Sequence, residues 1–192
     1  MALIPRVARE STAFLLCDIQ ERFRNSIVHF PSVIHVATTM TQAAGILNVP
    51  LIVTEHVPQV FGKTLSEISA VYPRNTNIFS KTKFSMATPE VASFLTAGKF
   101  RSVVLFGIEA HVCLQQTALD LVSAGYGVHV LADGSSSSRQ FERTIAFDRL
   151  RQVGVTITSS ESMLFELMQD AKYENFKSIL ELVKRTRPDS GL

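Results

Sequence analysis

The sequence predicts a three-layer α/β/α domain built on a six-stranded, mostly parallel sheet with a Rossmann-like topology. Three observations carry this. Short apolar runs alternate with helix-length amphipathic segments along the whole chain. The run RSVVLFG is apolar almost without interruption, as expected of a strand covered on both faces. No internal repeat or linker interrupts the alternation, so right-handed strand–helix–strand crossovers are the default connection.

The elements follow in order. TAFLLCD (Thr12 to Asp18) reads as a buried strand. From Phe30 to Asn48, residues Val33, Val36, Ala37, Met40, Ala43, Ala44 and Leu47 recur at helical spacing. PLIVTEH (Pro50 to His56) is a second strand, and Val57 to Val71 is loop-like with a short helix around Leu65 to Val71. A short third strand lies within Asn77 to Met86, followed by a polar turn. Thr88 is placed as the N-cap of the next helix, with Pro89 at its first position and Gly98 near its end. Arg101 to Gly107 is the fourth strand, and a helix follows it to Gly125. Gly127 to Asp133 is the fifth strand, with GSSSS as a polar turn behind it. A helix over Arg139 to Gly154 leads to a sixth strand at Val155 to Ser160. Two helices, SESMLFELMQDA and ENFKSILELVKR, close the fold, and TRPDSGL is expected to fray.

The length of 192 residues suits one domain over 1–192, with its core at about 10–171 and a C-terminal helix and tail over 172–192. Hydrophobic residues make up 46% and charged residues 19%, which excludes a disordered chain. The net charge of +2 offers no broad electrostatic attraction for nucleic acid or an anionic membrane. No apolar run approaches the ~20 residues of a membrane span. Two cysteines, Cys17 and Cys113, do not make a secreted disulfide framework; reduced thiols in an intracellular, cytoplasmic setting are the expectation. The N-terminus lacks a secretory layout, and Arg6 and Arg9 leave mitochondrial import as the alternative.

In a sheet of this kind ligands bind beyond the carboxyl ends of the strands. That rule selects Asp18, Glu55 with His56, Lys81, Gly107 to Cys113, and Asp133 to Ser138. A lone cysteine is usually inert core, and Cys17, inside an apolar strand, is read so. Cys113 differs, because the first turn of a helix favours a thiolate. Asp18 is either a turn cap or a general base beside that thiol. Lys81 and Lys83 compete for one role. His111 tempts toward a Cys–His pair, but a loop residue pointing elsewhere is the preferred reading. Glu55 and His56 are adjacent and the other histidines fall in other elements, so no metal set and no cofactor are expected. The exit of the first strand lacks a G-x-G-x-x-G pattern, against dinucleotide binding.

Three stretches resemble, in order, the isochorismatase-like cysteine hydrolases, a group that includes nicotinamidases and carbamoylsarcosine amidases. CDIQERF is similar to the family's D-x-Q-x-x-F, KTKFS to its K-x-x-[FY]-S, and GIEAHVCLQQTA to its cysteine loop. The likeness runs from about Glu10 to Ala171, and the cysteine loop is close in wording to the isochorismatase-domain proteins of eukaryotes. The resemblance implies an isochorismatase-type topology and a Cys113–Asp18–Lys81 triad, so that Lys81 and not Lys83 matches. It implies a cis bond at Ile108–Glu109 and an oxyanion hole from the N–H groups of Glu109 and Cys113. Phe23 and Gln20 belong to the first motif, and with His56, Phe61 and Phe84 they are pocket candidates. The implied reaction is hydrolysis of a C–N, amide- or ureide-type bond of a small molecule through a thioester. Metal-dependent nicotinamidases carry an Asp-x-His element where this chain reads TEHVPQVFGKT, so that zinc site is expected to be absent. Relatives of the fold assemble, so a homo-oligomer, dimer or higher, is expected. The alternatives are a non-catalytic binding or scaffold protein on the same fold, or a nuclease or RNA-binding role.

Overall fold

In the computed structural model, which describes residues 6–192, six strands form one sheet: β1 (Thr12–Cys17), β2 (Leu51–His56), β3 (Asn77–Lys81), β4 (Ser102–Gly107), β5 (Gly127–Ser135) and β6 (Thr156–Thr158). Their order is β3-β2-β1-β4-β5-β6, and every neighbouring pair is parallel. The helices are α1 (Phe30–Leu47), α2 (Pro58–Phe61), α3 (Ser66–Ser69), α4 (Pro89–Ala97), α5 (Gln115–Ser123), α6 (Gln140–Gln152), α7 (Ser160–Met168) and α8 (Phe176–Val183). The α/β class is as the sequence predicts, and the sheet is wholly rather than mostly parallel. Residues 1–5, on which part of the leader reading falls, lie outside the described residues. Among the described residues no helix is long and apolar enough to cross a membrane.

Side-chain alternation along the central strands builds the three layers. Phe14 and Leu16 of β1, with Val104 and Phe106 of β4, pack against Val33 and Met40 of α1, Leu164 of α7 and Leu182 of α8. The intervening Ala13, Leu15, Cys17, Val103 and Leu105 face Val91 of α4, Leu121 of α5 and Leu150 of α6. Both faces of β1 are therefore buried, which is why its sequence shows an apolar run and no polar alternation.

Several boundaries differ from the sequence expectation, each for a physical reason. β5 continues through Gly134 and Ser135, so GSSSS is not a turn. A Cβ at Gly134 would stand 2.4 Å from the Val36 side chain, and glycine lets the strand run on beneath α1. Ser136 donates to the Val28 carbonyl at 2.6 Å and its own carbonyl accepts from Ala110 N–H at 2.8 Å, so the buried serines tie loops together. β6 has three residues rather than six. The stretch after β2 contains the short helix α2, entered through Val57 at φ 37°. The segment before α5 is a wide π-type turn, Ala110–Leu114, and Cys113 lies in it.

The tail expected to fray is docked. Arg143 of α6 is buried and donates to the carbonyls of Ser135 (2.8 Å), Ala132 (2.5 Å) and Ser190 (2.6 Å). Arg187 pairs with Glu161 at 2.8 Å. A charged residue inside a helix whose neighbours are mostly polar offers no local sign of this role.

The switch in strand order lies between β1 and β4, where the site must form. Gly107 ends β4 at φ 129°, and a Cβ there would stand 2.2 Å from the Cys17 carbonyl oxygen. Gly107→Ala is expected to cost about 2 kcal/mol or more, from a disfavoured φ together with a backbone clash, and to misplace the Cys113 turn. Urea unfolding of the two proteins checks it.

Candidate active site

The register of three strand pairs sets the site. Cys17 stands opposite Thr54 on β2 and Gly107 on β4, while His56 stands opposite Lys81 on β3. The next residue after Cys17, Asp18, leaves the sheet at φ 52°, a left-handed conformation that Asp tolerates better than most residues. Its Oδ1 accepts from the Thr54 hydroxyl at 2.7 Å, and its Oδ2 meets Lys81 Nζ at 2.5 Å. Lys81 also donates to the carbonyls of Lys83 (3.1 Å) and Phe84 (2.8 Å). Asp18 is 1% and Lys81 5% exposed, so the pair is screened from water. Burial by itself lowers the Lys81 ammonium pKa; electrostatic interactions with Cys17, Asp18 and Cys113 outweigh it and hold it above its ordinary value.

Cys113 lies over this pair, 7% exposed. Its sulfur, an Asp18 carboxylate oxygen and a ring nitrogen of His56 all lie within 4.8 Å of one another. The Thr117 hydroxyl donates to the Cys113 carbonyl at 2.6 Å and accepts from Met86 N–H at 2.8 Å, which anchors the turn to the loop after β3. The Ile108–Glu109 peptide is cis. Ile108 is buried, and the Glu109 carboxylate accepts from Ser138 N–H at 2.7 Å. Cys17 is the inner thiol: burial first, then its interaction with Cys113 and the charge of Asp18, pushes its pKa well up, so it stays protonated.

Four pocket candidates form one wall. Phe23 stacks on Phe61 with centroids 4.9 Å apart, Phe61 meets the His56 ring at 5.7 Å, and His56 stacks on Phe84 at 5.6 Å. Phe84 is 49% exposed, placing this wall at the mouth of the site. Burial, then the charge of Lys81, lowers the His56 pKa below its ordinary value and favours the neutral ring.

Gln20 departs from the expectation. It is fully buried. Its Nε2 donates to the carbonyls of His56 (3.0 Å) and Gly62 (2.7 Å), and its Oε1 accepts from His56 N–H at 2.8 Å. It is a clamp on the loop after β2 rather than a substrate contact. Glu55 does the same work on Thr64, accepting from its N–H at 2.8 Å and its hydroxyl at 3.1 Å. Lys83 pairs with Asp120 at the surface, His111 faces the Ser137 hydroxyl at 3.0 Å, and Asp133 caps α7 through Ser160. None of these three side chains reaches the Asp18–Lys81 pair. The sequence offers no metal-ligand spacing, yet the fold brings three donors together, Asp18, His56 and Cys113. They come from three separate elements, which is why spacing along the chain does not reveal them.

A doubly wound α/β sheet thus holds a cysteine over a buried carboxylate–ammonium pair at its carboxyl edge. The chain belongs to the isochorismatase family: the isochorismatase domain model matches residues 12–162. It is 44% identical over 190 residues to the isochorismatase domain-containing protein 2 of Xenopus laevis, covering 98% of this chain and 91% of that protein. Among solved structures it is similar to the MAR1 ribonuclease from Caenorhabditis elegans, at 38% identity, a TM-score of 0.94, and coverage of 98% of this chain and 97% of that one. An octameric hydrolase of unknown specificity from Escherichia coli shares the fold at 20% identity, with a TM-score of 0.85 over 95% of this chain and 91% of that one.

Lys81→Met keeps length and removes charge, leaving Asp18 buried without its partner. It is expected to cost about 3–5 kcal/mol, and adding Asp18→Asn is expected to recover part of that. Because the folded Lys81 pKa lies above the unfolded ~10.4, the wild-type contribution is complete below that pH and lost only as pH rises through the folded value. Urea midpoints for the three proteins from pH 7 to 11 test this.

Proposed function

We propose that this chain is a cysteine hydrolase that cleaves a C–N bond of the amide or ureide type in a small molecule. The observation that carries it is the convergence of the Cys113 sulfur on the Asp18 carboxylate, which Lys81 neutralises in a buried setting. Asp18 takes the thiol proton as Cys113 attacks the carbonyl, and Lys81 holds the resulting charge. The N–H groups of Glu109 and Cys113 receive the oxyanion. The C–N bond breaks, amine or ammonia leaves with the proton from Asp18, and water hydrolyses the thioester. Phe23, Phe61, His56 and Phe84 form the wall against which the acyl group lies. Reduced Cys17 and Cys113 fit an intracellular, cytoplasmic setting.

The test is a screen of small amides and ureides with Cys113→Ala as the blank, following acyl adducts on Cys113 by intact mass. Turnover in wild type, none in Cys113→Ala, and iodoacetamide alkylation of Cys113 at pH 7 faster than of a free thiol are expected. Alkylation no faster than a free thiol sinks the reading and favours a non-catalytic scaffold.

A second reading, RNA cleavage, draws on the likeness to the Caenorhabditis elegans MAR1 ribonuclease at 38% identity. It predicts salt-sensitive RNA binding and cleavage that survives repeated purification. The same substrate screen, run with RNA, separates the two.

A homo-oligomer, dimer or higher, is also proposed. The octameric E. coli hydrolase shares the fold, and Phe141 and Ile145, one turn apart on α6, are 57% and 59% exposed. A monomeric mass by light scattering at micromolar concentration would overturn it.

A further inference from the structure

One group at the site lines the wall but carries no proton or charge in the proposed hydrolysis. His56 brings its ring to the end of β2 between Phe61 and Phe84, yet its Nδ1 is buried with no hydrogen-bond partner. An unpaired buried nitrogen is costly and asks for an explanation. A ring nitrogen of His56 lies within 4.8 Å of both an Asp18 oxygen and the Cys113 sulfur. Thiolate, imidazole and carboxylate are the donor types of a zinc ion, at bond lengths of about 2.0–2.3 Å. Donors sharing such an ion tetrahedrally stand about 3.3–3.8 Å apart, so closure from 4.8 Å or less needs at most about 1.5 Å of side-chain movement. The donor set is separate from any Asp-x-His element. It joins the end of β1, the end of β2 and the turn after β4.

We propose that Asp18, His56 and Cys113 form a three-donor site for a zinc-like divalent cation, and that the ion switches the site off by occupying the Cys113 sulfur. The metal–sulfur bond forms as the thiol proton leaves to solvent, and a fourth coordination position stays open to water or a small ligand. Charge sets the strength. Asp18 and the thiolate supply two negative charges, and Lys81, held against Asp18, opposes the ion with one positive charge. A reversible, moderate affinity follows rather than the tight binding of a structural zinc site. The switching half of the proposal rests on the cysteine-hydrolase reading; the metal-binding half does not.

The test uses the full chain, stripped with EDTA and kept reduced, and titrated with Co2+ under argon. Thiolate-bound tetrahedral cobalt gives a sulfur-to-metal charge-transfer band in the near ultraviolet. The band is expected in wild type and in Cys17→Ser, absent in Cys113→Ser, and shifted to at least about tenfold higher Co2+ in His56→Gln and Asp18→Asn. Circular dichroism confirms that each variant is folded. No band in wild type, a band indifferent to His56→Gln, or one lost only in Cys17→Ser overturns the site. Zn2+ is expected to displace Co2+ and to slow iodoacetamide alkylation of Cys113 at least about tenfold. A band with unchanged alkylation overturns the switch alone. Fast alkylation in EDTA with no band overturns the metal site and leaves the hydrolase reading standing.

Discussion

The ion pair between Asp18 and Lys81 is the interaction on which the rest of the site depends. Removing a carboxylate and an ammonium from water costs several kcal/mol per ion unless each is matched and its remaining valences are met. The protein meets them locally: Thr54 donates to one Asp18 oxygen, Lys81 to the other, and the carbonyls of Lys83 and Phe84 take further Lys81 protons. Thr54 lies two residues before the end of β2, Lys81 ends β3, and the two carbonyls follow it. Three parallel strands, β1, β2 and β3, must therefore end at one level, and the pairing of Cys17 with Thr54 and of His56 with Lys81 brings them there.

Around that pair, polar side chains hold backbone rather than ligand. Gln20 fixes the peptide of His56 and the carbonyl of Gly62, Glu55 fixes Thr64, and Glu109 fixes Ser138. Each bond ties a loop at the carboxyl edge to its neighbour, and those of Gln20 hold the end of β2 and the segment that carries Phe61. The consequence is an aromatic wall with a fixed shape beside a sulfur that is nearly covered.

Much of this is legible without coordinates. The apolar run of β1 reports burial on both faces, and the strand-end rule alone places Asp18, Lys81 and Cys113 on one edge. The choice of Lys81 over Lys83 rests on motif resemblance; the structure supplies the physical reason, since Lys81 is the last residue of β3 and Lys83 pairs with Asp120. Gln20 escapes the sequence because membership of a motif does not say which way an amide points. Arg143 gives no signal, since its partners are backbone carbonyls up to 47 residues away in the chain. GSSSS has the composition of a turn because serines favour turns, and the buried environment that overrides that preference is tertiary.

By itself the sequence determined the α/β class, the order of strands along the chain, and the edge where chemistry belongs, because these follow from side-chain alternation and from residue types at strand ends. Only the tertiary structure decided which of those residues meet. Convergence of positions 18, 56, 81 and 113 depends on strand order and register, set by packing across both faces of the sheet. No local pattern records those distances, and so the meeting of a His56 ring nitrogen with a carboxylate and a thiol became visible only in three dimensions.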